Sequence, residues 1–270
     1  MIRPRTPKPD INDILLSISV TAIIVLWSLL VRNDQASLGG LLVAIWFPLS
    51  ILTFRFLLRR LPLLAGIRAY PAEKTLAWKR PITAGCLLLA SFSILFLARL
   101  SPPAALGNII ALNLACLAAL LDRAERWLPP SLLTPMLLAG LLAGVLRDAP
   151  ASTILGTVTA WTGITLILAF CSLLRWRNVL SGGESLMAAA CGAWVEIKGV
   201  TVFLLVSLTL HSMLYFLRRH FNPAHTAWPA YLNQRDPMQR TAMGPSLALG
   251  LAITLLIEAI APGALRFWPQ

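Results

Sequence analysis

Long apolar runs, separated by short polar or basic stretches, dominate this chain. A helix needs about 20 apolar residues to cross a bilayer core. That ruler predicts spans near 14–31, 39–58, 81–98, 105–121, 131–146, 152–174, 186–197, 199–217 and 242–261. The seventh is short, so with the eighth it reads either as one re-entrant hairpin or as two tilted helices. The expected fold is all-α, a polytopic membrane bundle of about nine transmembrane helices. The first run is long for a signal-peptide core, and no small-x-small cleavage site precedes Arg32-Asn33-Asp34, so it reads as a retained anchor. Residues 1–38 are then an amino-terminal cytoplasmic tail plus an extra anchor, and 39–270 are the main membrane domain. No internal repeat or low-complexity tract is visible.

Composition excludes the alternatives to a membrane protein. Of 270 residues, 57% are hydrophobic and 13% charged, with a mean hydropathy of +0.75. Soluble domains carry roughly 25% charged residues. The net charge of +12 reflects 23 Lys and Arg against 11 Asp and Glu. In such a chain this excess marks cytoplasmic loops rather than nucleic-acid binding. With the amino terminus inside, 17 of the basic residues fall on cytoplasmic segments and 5 on outer ones, Arg32, Arg99, Arg147, Lys198 and Arg266; Arg55 sits within a span. Residues 59–80 and 218–241 are basic cytoplasmic segments, each too short for a domain of its own. Cys86, Cys116, Cys171 and Cys191 lie singly in apolar runs, which signals neither a disulfide framework nor a zinc site.

Ionisable groups at membrane depth are costly, and so mark candidate sites. Asp122 ends the fourth span beside Arg123 and Arg126, where a carboxylate is commonly a solvated boundary charge. Glu184 opens the seventh span in Ser181-Gly182-Gly183-Glu184, and Ser-x-x-Glu before an apolar run is a capping box. The double glycine exceeds what a cap needs and permits a close backbone approach or a sharp bend. Both carboxylates fall on the cytoplasmic side at similar depth. Two carboxylates that meet can share a proton, one acting as base and the other as acid. Glu258 and His211 are expected to pair within the bundle, and Glu196 and Lys198 to form the outer turn between spans seven and eight.

Three segments resemble the type IV prepilin peptidases, or leader peptidases, polytopic aspartic proteases of the Gly-x-Gly-Asp type. Leu120-Leu121-Asp122, followed by Leu128-Pro129, is similar to the family's first catalytic region. Ser181-Gly182-Gly183-Glu184 through Gly192-Ala193-Trp194 aligns without a gap to the family's Gly-x-Gly-Asp…Gly-Ala-Trp. Met243-Gly244-Pro245 through Gly250 resembles the segment that begins the family's last span, and Arg60-Leu61-Pro62 is a looser match.

The resemblance implies a prepilin-peptidase-like membrane domain over 39–270, with catalytic residues Asp122 and Glu184. Gly182, Gly183, Pro129, Gly244 and Pro245 would be structural motif residues. It implies an aspartic endopeptidase of the bacterial inner (plasma) membrane, acting on prepilin or pseudopilin substrates at the cytoplasmic face. No metal and no cofactor are implied for peptidase activity. S-adenosylmethionine would be needed only if the family's methylation of the new amino terminus is retained, and the large first loop associated with it is reduced here to 59–80. The chain departs from the family at Ser181, at Glu184, which replaces the second Asp, and at Leu186, which replaces a Lys. A glutamate reaches about 1.5 Å further than an aspartate. The alternative reading is a catalytically impaired homologue that serves as a pilus or secretion-system assembly protein. A small transporter ranks third, since paired broken helices in an inverted repeat are not visible.

Two outcomes are expected from the sequence. Reporter fusions after Arg32 and after Gln270 should both signal the outside, and a cytoplasmic signal at either contradicts the layout. Metal analysis of the purified protein should find no zinc that survives mild chelation.

Overall fold

The computed structural model describes residues 45, 48–58, 60, 79–125, 128–175, 182–221 and 242–261. The first expected span and most of the basic segments 59–80 and 218–241 lie outside these residues. The described residues form seven helices and no strand: α1 (Pro48–Leu58), α2 (Lys79–Arg99), α3 (Pro102–Glu125), α4 (Pro130–Leu146), α5 (Pro150–Arg175), α6 (Gly182–Phe221) and α7 (Gly244–Ile260). Their bounds follow the expected spans from the second to the ninth, with spans seven and eight both inside α6. Three stretches are long and apolar enough to cross a membrane: Pro103–Arg123, Pro150–Leu173 and Gly182–Leu214. The remaining four helices are apolar but shorter.

The chain divides into two compact units, Met1–Ala105 and Leu106–Gln270. In the first, α1 buries Ile51, Phe54 and Leu58, and α2 buries Ile82, Cys86, Leu89, Ser93 and Phe96. Both sets recur every three or four residues, the spacing of one helical face. Ser93 sits in that apolar stripe by donating its hydroxyl to the Leu89 carbonyl at 2.7 Å, which leaves no buried donor unsatisfied.

The second unit is organised around α6. The expectation for spans seven and eight left one re-entrant hairpin and two tilted helices open, and both require the chain to reverse. Thr165 donates to Ser185 at 3.1 Å, while a methyl group at Gly163, two residues away, would lie 2.9 Å from Leu204 Cδ1. Residues 185 and 204 of a continuous helix would be about 28 Å apart. The chain therefore doubles back. The reversal is at Glu196, whose φ of 56° and ψ of 178° are non-helical. Residues 182–195 run antiparallel to α5, and residues 197–221 return alongside it. The reversal falls where Glu196 and Lys198 are expected to form a turn, and it is common to both alternatives.

The outgoing arm of α6 is the centre of the bundle: every residue from Met187 to Glu196 is buried. Its sequence, Met-Ala-Ala-Ala-Cys-Gly-Ala-Trp, has small residues on all sides, which lets several helices approach its backbone at once. A methyl group at Gly192 would lie 2.5 Å from the Gly156 carbonyl and 2.6 Å from Ala160 Cβ of α5. Gly140 of α4 lies against Ala193 and Trp194, and Gly107 of α3 lies under the Trp194 ring. The indole of Trp194 donates to the Met136 carbonyl at 3.1 Å, so its one polar atom is satisfied inside the core. The returning arm packs on α7, where Ser207 lies directly on Gly250.

The turn at Glu196 is held from the α4–α5 connection. Arg147 Nη1 lies 3.0 Å from Glu196 Oε1, and Ser152 donates to Oε2 at 3.2 Å. Glu258, near the far end of α7, is within electrostatic reach of Glu196, Arg147 and Lys198. A non-glycine residue at this φ and ψ costs on the order of 1–3 kcal/mol, which the paired carboxylate offsets. Asp148, with φ of 55°, turns the chain beside it.

Gly192→Leu should lower stability by about 1–3 kcal/mol through overpacking against backbone that cannot yield, measured as thermal unfolding in detergent. Ser207→Ala should leave stability unchanged or raise it, because the buried Ser207 hydroxyl has no hydrogen-bond partner. A clear loss on Ser207→Ala contradicts that reading.

Candidate active site

The end of the bundle opposite Glu196 brings together the finish of α3 and the starts of α6 and α7. Asp122 lies in the last turn of α3 and is only 5% exposed. A buried carboxylate needs hydrogen-bond partners. One of them is the first amide of α7: Gly244 N–H donates to Asp122 Oδ2 at 2.7 Å. The amino terminus of α7 has no side-chain cap on Met243 and carries Pro245 in its first turn, so Asp122 supplies from another helix the acceptor that a cap residue normally provides. The approach requires glycine, since a methyl group at Gly244 would lie 2.9 Å from both Cβ and Oδ2 of Asp122.

Glu184 lies in the first turn of α6 and is half-buried. The start of α6 is seated on the residues that follow α3. A methyl group at Gly183 would lie 2.8 Å from Leu128 Cβ, whereas Gly182 has nothing within 4 Å. Of the two glycines expected to permit a close approach, Gly183 alone makes one. Pro129 is the cap residue of α4, with φ of −70° and ψ of 126°, and its carbonyl accepts from Leu132 and Leu133 at 3.0 and 3.2 Å. It turns the chain so that Leu128 faces Gly183. Ser181, the amino-terminal partner in the expected capping box, lies outside the described residues.

Asp122 and Glu184 thus share one end of the bundle, with Asp122 anchored on α7 and the Glu184 turn on the α3–α4 connection. His211 of α6 and Glu258 of α7, expected to pair within the bundle, lie at opposite ends of the α6–α7 contact. His211 Nδ1 is 3.4 Å from Ser246 Oγ in the first turn of α7, and Glu258 is on its last. Sequence reasoning passed over Ser246. Its signal was the recurrence of Ser246, Gly250, Thr254 and Glu258 at intervals of four along the face of α7 that meets α6.

Among the described residues no three His, Cys, Asp or Glu side chains come together as metal ligands. None of the four cysteines is joined in a disulfide, and Cys86 and Cys191 are buried.

No solved structure matches the chain. Two curated relatives are each named prepilin leader peptidase/N-methyltransferase. The protein of Dickeya chrysanthemi is 28% identical over 210 residues, covering 74% of this chain and 69% of the relative. The protein of Neisseria gonorrhoeae is 26% identical over 125 residues, covering 46% of this chain and 44% of the relative. The model of the type IV leader peptidase family matches residues 109–217, which run from α3 through most of the returning arm of α6 and include Asp122, Pro129, Gly182, Gly183 and Glu184. Over these residues the chain is similar to the type IV leader peptidase family.

Proposed function

We propose that this protein is a membrane aspartic endopeptidase that removes the short basic leader of type IV prepilin-like proteins, with Asp122 and Glu184 as its carboxylate pair. One observation carries this reading. Asp122, seated on Gly244, and the Glu184 turn, seated on Leu128, occupy the same end of a bundle in a chain similar to the leader peptidase family. The basic-residue pattern favours the cytoplasmic face of the inner membrane for that end, with the amino terminus inside. The expected partners are prepilin or pseudopilin substrates and the surrounding lipid.

In this mechanism one carboxylate takes a proton from a water as its oxygen attacks the scissile carbonyl carbon. The other, protonated, gives its proton to the carbonyl oxygen. The tetrahedral intermediate collapses with breakage of the carbon–nitrogen bond, and a carboxyl group returns a proton to the departing amine. No metal or cofactor takes part. If the N-methyltransferase activity in the relatives' names extends to this chain, S-adenosylmethionine would serve that separate step.

The second reading, an impaired homologue retained for pilus or secretion-system assembly, draws on the position of Glu184. A carboxylate in the first turn of a helix complements the amino-terminal partial charge without any catalytic role. The two readings part on substitution, assayed as in-membrane cleavage of a co-expressed prepilin. Asp122→Asn and Glu184→Gln should each lower cleavage at least about 100-fold in a working peptidase, and Glu184→Asp should preserve or raise it. Retained cleavage in Glu184→Gln removes that residue from the mechanism. An inert wild type with an active Glu184→Asp identifies a lapsed peptidase.

A further inference from the structure

Asp122 is anchored to a single peptide unit, and that unit is gripped from its other side. The amide that donates to Asp122 Oδ2 is Gly244 N–H. The carbonyl of the same planar peptide belongs to Met243, and it accepts the Ser246 hydroxyl at 2.8 Å and Leu247 N–H at 3.1 Å. Because a trans peptide is flat with its C=O and N–H pointing in opposite directions, fixing the carbonyl aims the amide. Ser246 is fully buried, and its Oγ lies 3.4 Å from His211 Nδ1 on the returning arm of α6. A serine hydroxyl has one proton, and here it is directed at Met243. The contact with His211 therefore requires the ring to donate from Nδ1–H, with Oγ as acceptor.

We infer that His211 is a positioning residue for Asp122, acting through Ser246 and the Met243–Gly244 peptide. The four groups form one directed series: His211 Nδ1–H to Ser246 Oγ, Ser246 O–H to Met243 C=O, and Gly244 N–H to Asp122 Oδ2. Each bond in such a series polarises the next, so the amide is a stronger donor than an isolated one. His211 is half-buried and never reaches the reacting atoms in this scheme. Its effect is on where the Asp122 carboxylate sits, and the inference rests on the peptidase reading above only for its catalytic consequence.

A histidine that merely fills space between α6 and α7 predicts different behaviour. The side-chain amide of asparagine can place a donor near the position of Nδ1, whereas leucine matches the bulk and offers none. The test uses the full chain in membranes or lipid nanodiscs, with His211→Leu, His211→Asn, Ser246→Ala and the double variant His211→Asn/Ser246→Ala. Two quantities are read: the kinetics of prepilin cleavage, and hydrogen exchange of the Gly244 amide. His211→Leu and Ser246→Ala should lower kcat about 10- to 100-fold at unchanged KM, the scale expected of a displacement near 1 Å. His211→Asn should recover most of the loss, but not when Ser246 is Ala. Gly244 exchange should be faster in His211→Leu and Ser246→Ala and close to wild type in His211→Asn.

Equal behaviour of His211→Leu and His211→Asn in exchange, or Gly244 exchange unmoved by His211→Leu, overturns the inference. The exchange measurement needs no cleavage. If the wild type proves inert while exchange follows the expected order, the peptidase reading fails and the positioning of Asp122 stands.

Discussion

The reversal of α6 at Glu196 is the constraint on which this bundle depends. One continuous stretch of helix-forming sequence is bent back on itself by a residue in a conformation that L-amino acids rarely adopt. The turn is held because the Glu196 carboxylate has Arg147 and Ser152 as partners. Had the helix run straight, Glu184 and His211 would lie roughly 40 Å apart. Doubling back puts both at the end where α3 delivers Asp122 and α7 begins. The polar groups at the two ends thus have distinct tasks: those around Glu196 keep the arms folded together, and those around Asp122 form the candidate site.

Between the two ends, glycine and alanine set the closest helix contacts, alongside buried large side chains such as Ile164, Phe203 and Leu251. Gly192 meets Gly156, Gly140 meets Ala193 and Trp194, and Gly250 meets Ser207. In lipid, burial of apolar area adds little to helix association, since the alternative environment is itself apolar. Close backbone approach and satisfied polar atoms do that work instead. Trp194 shows both, with its ring against two glycines and its N–H on the Met136 carbonyl. Several large apolar side chains, among them Leu138, Leu142, Leu155, Leu166 and Phe170, lie exposed on α4 and α5, as suits surfaces facing acyl chains.

The glycines at the site serve geometry of another kind. Gly244 lets a helix terminus meet a carboxylate from a different helix, and Gly183 lets the start of α6 rest on Leu128. Both contacts involve the first turn of a helix, where free amides and partial positive charge are available. A site built from helix termini combines a rigid scaffold with donors that need no side chain.

The sequence by itself determined the class of fold, the location of the helices and the residues worth suspecting. Run length and apolar content specify membrane helices because the bilayer thickness and backbone hydrogen bonding leave no other option for such segments. Asp122 and Glu184 were legible because carboxylates at membrane depth are rare and costly, and the Leu-Pro and Gly-Gly patterns beside them were legible as turns and close approaches. Which partner each residue meets was decided only by the tertiary structure. The reversal within α6 is visible only through Thr165 and Gly163 of α5, whose neighbours Ser185 and Leu204 lie some 20 residues apart in α6. The grip of Asp122 on Gly244 spans 122 residues, and the link from His211 to Ser246 spans 35. Periodicity reports which face of a helix is apolar and is silent about which helix that face meets, because small-residue contacts between α6 and its neighbours depend on matching positions that no single segment encodes.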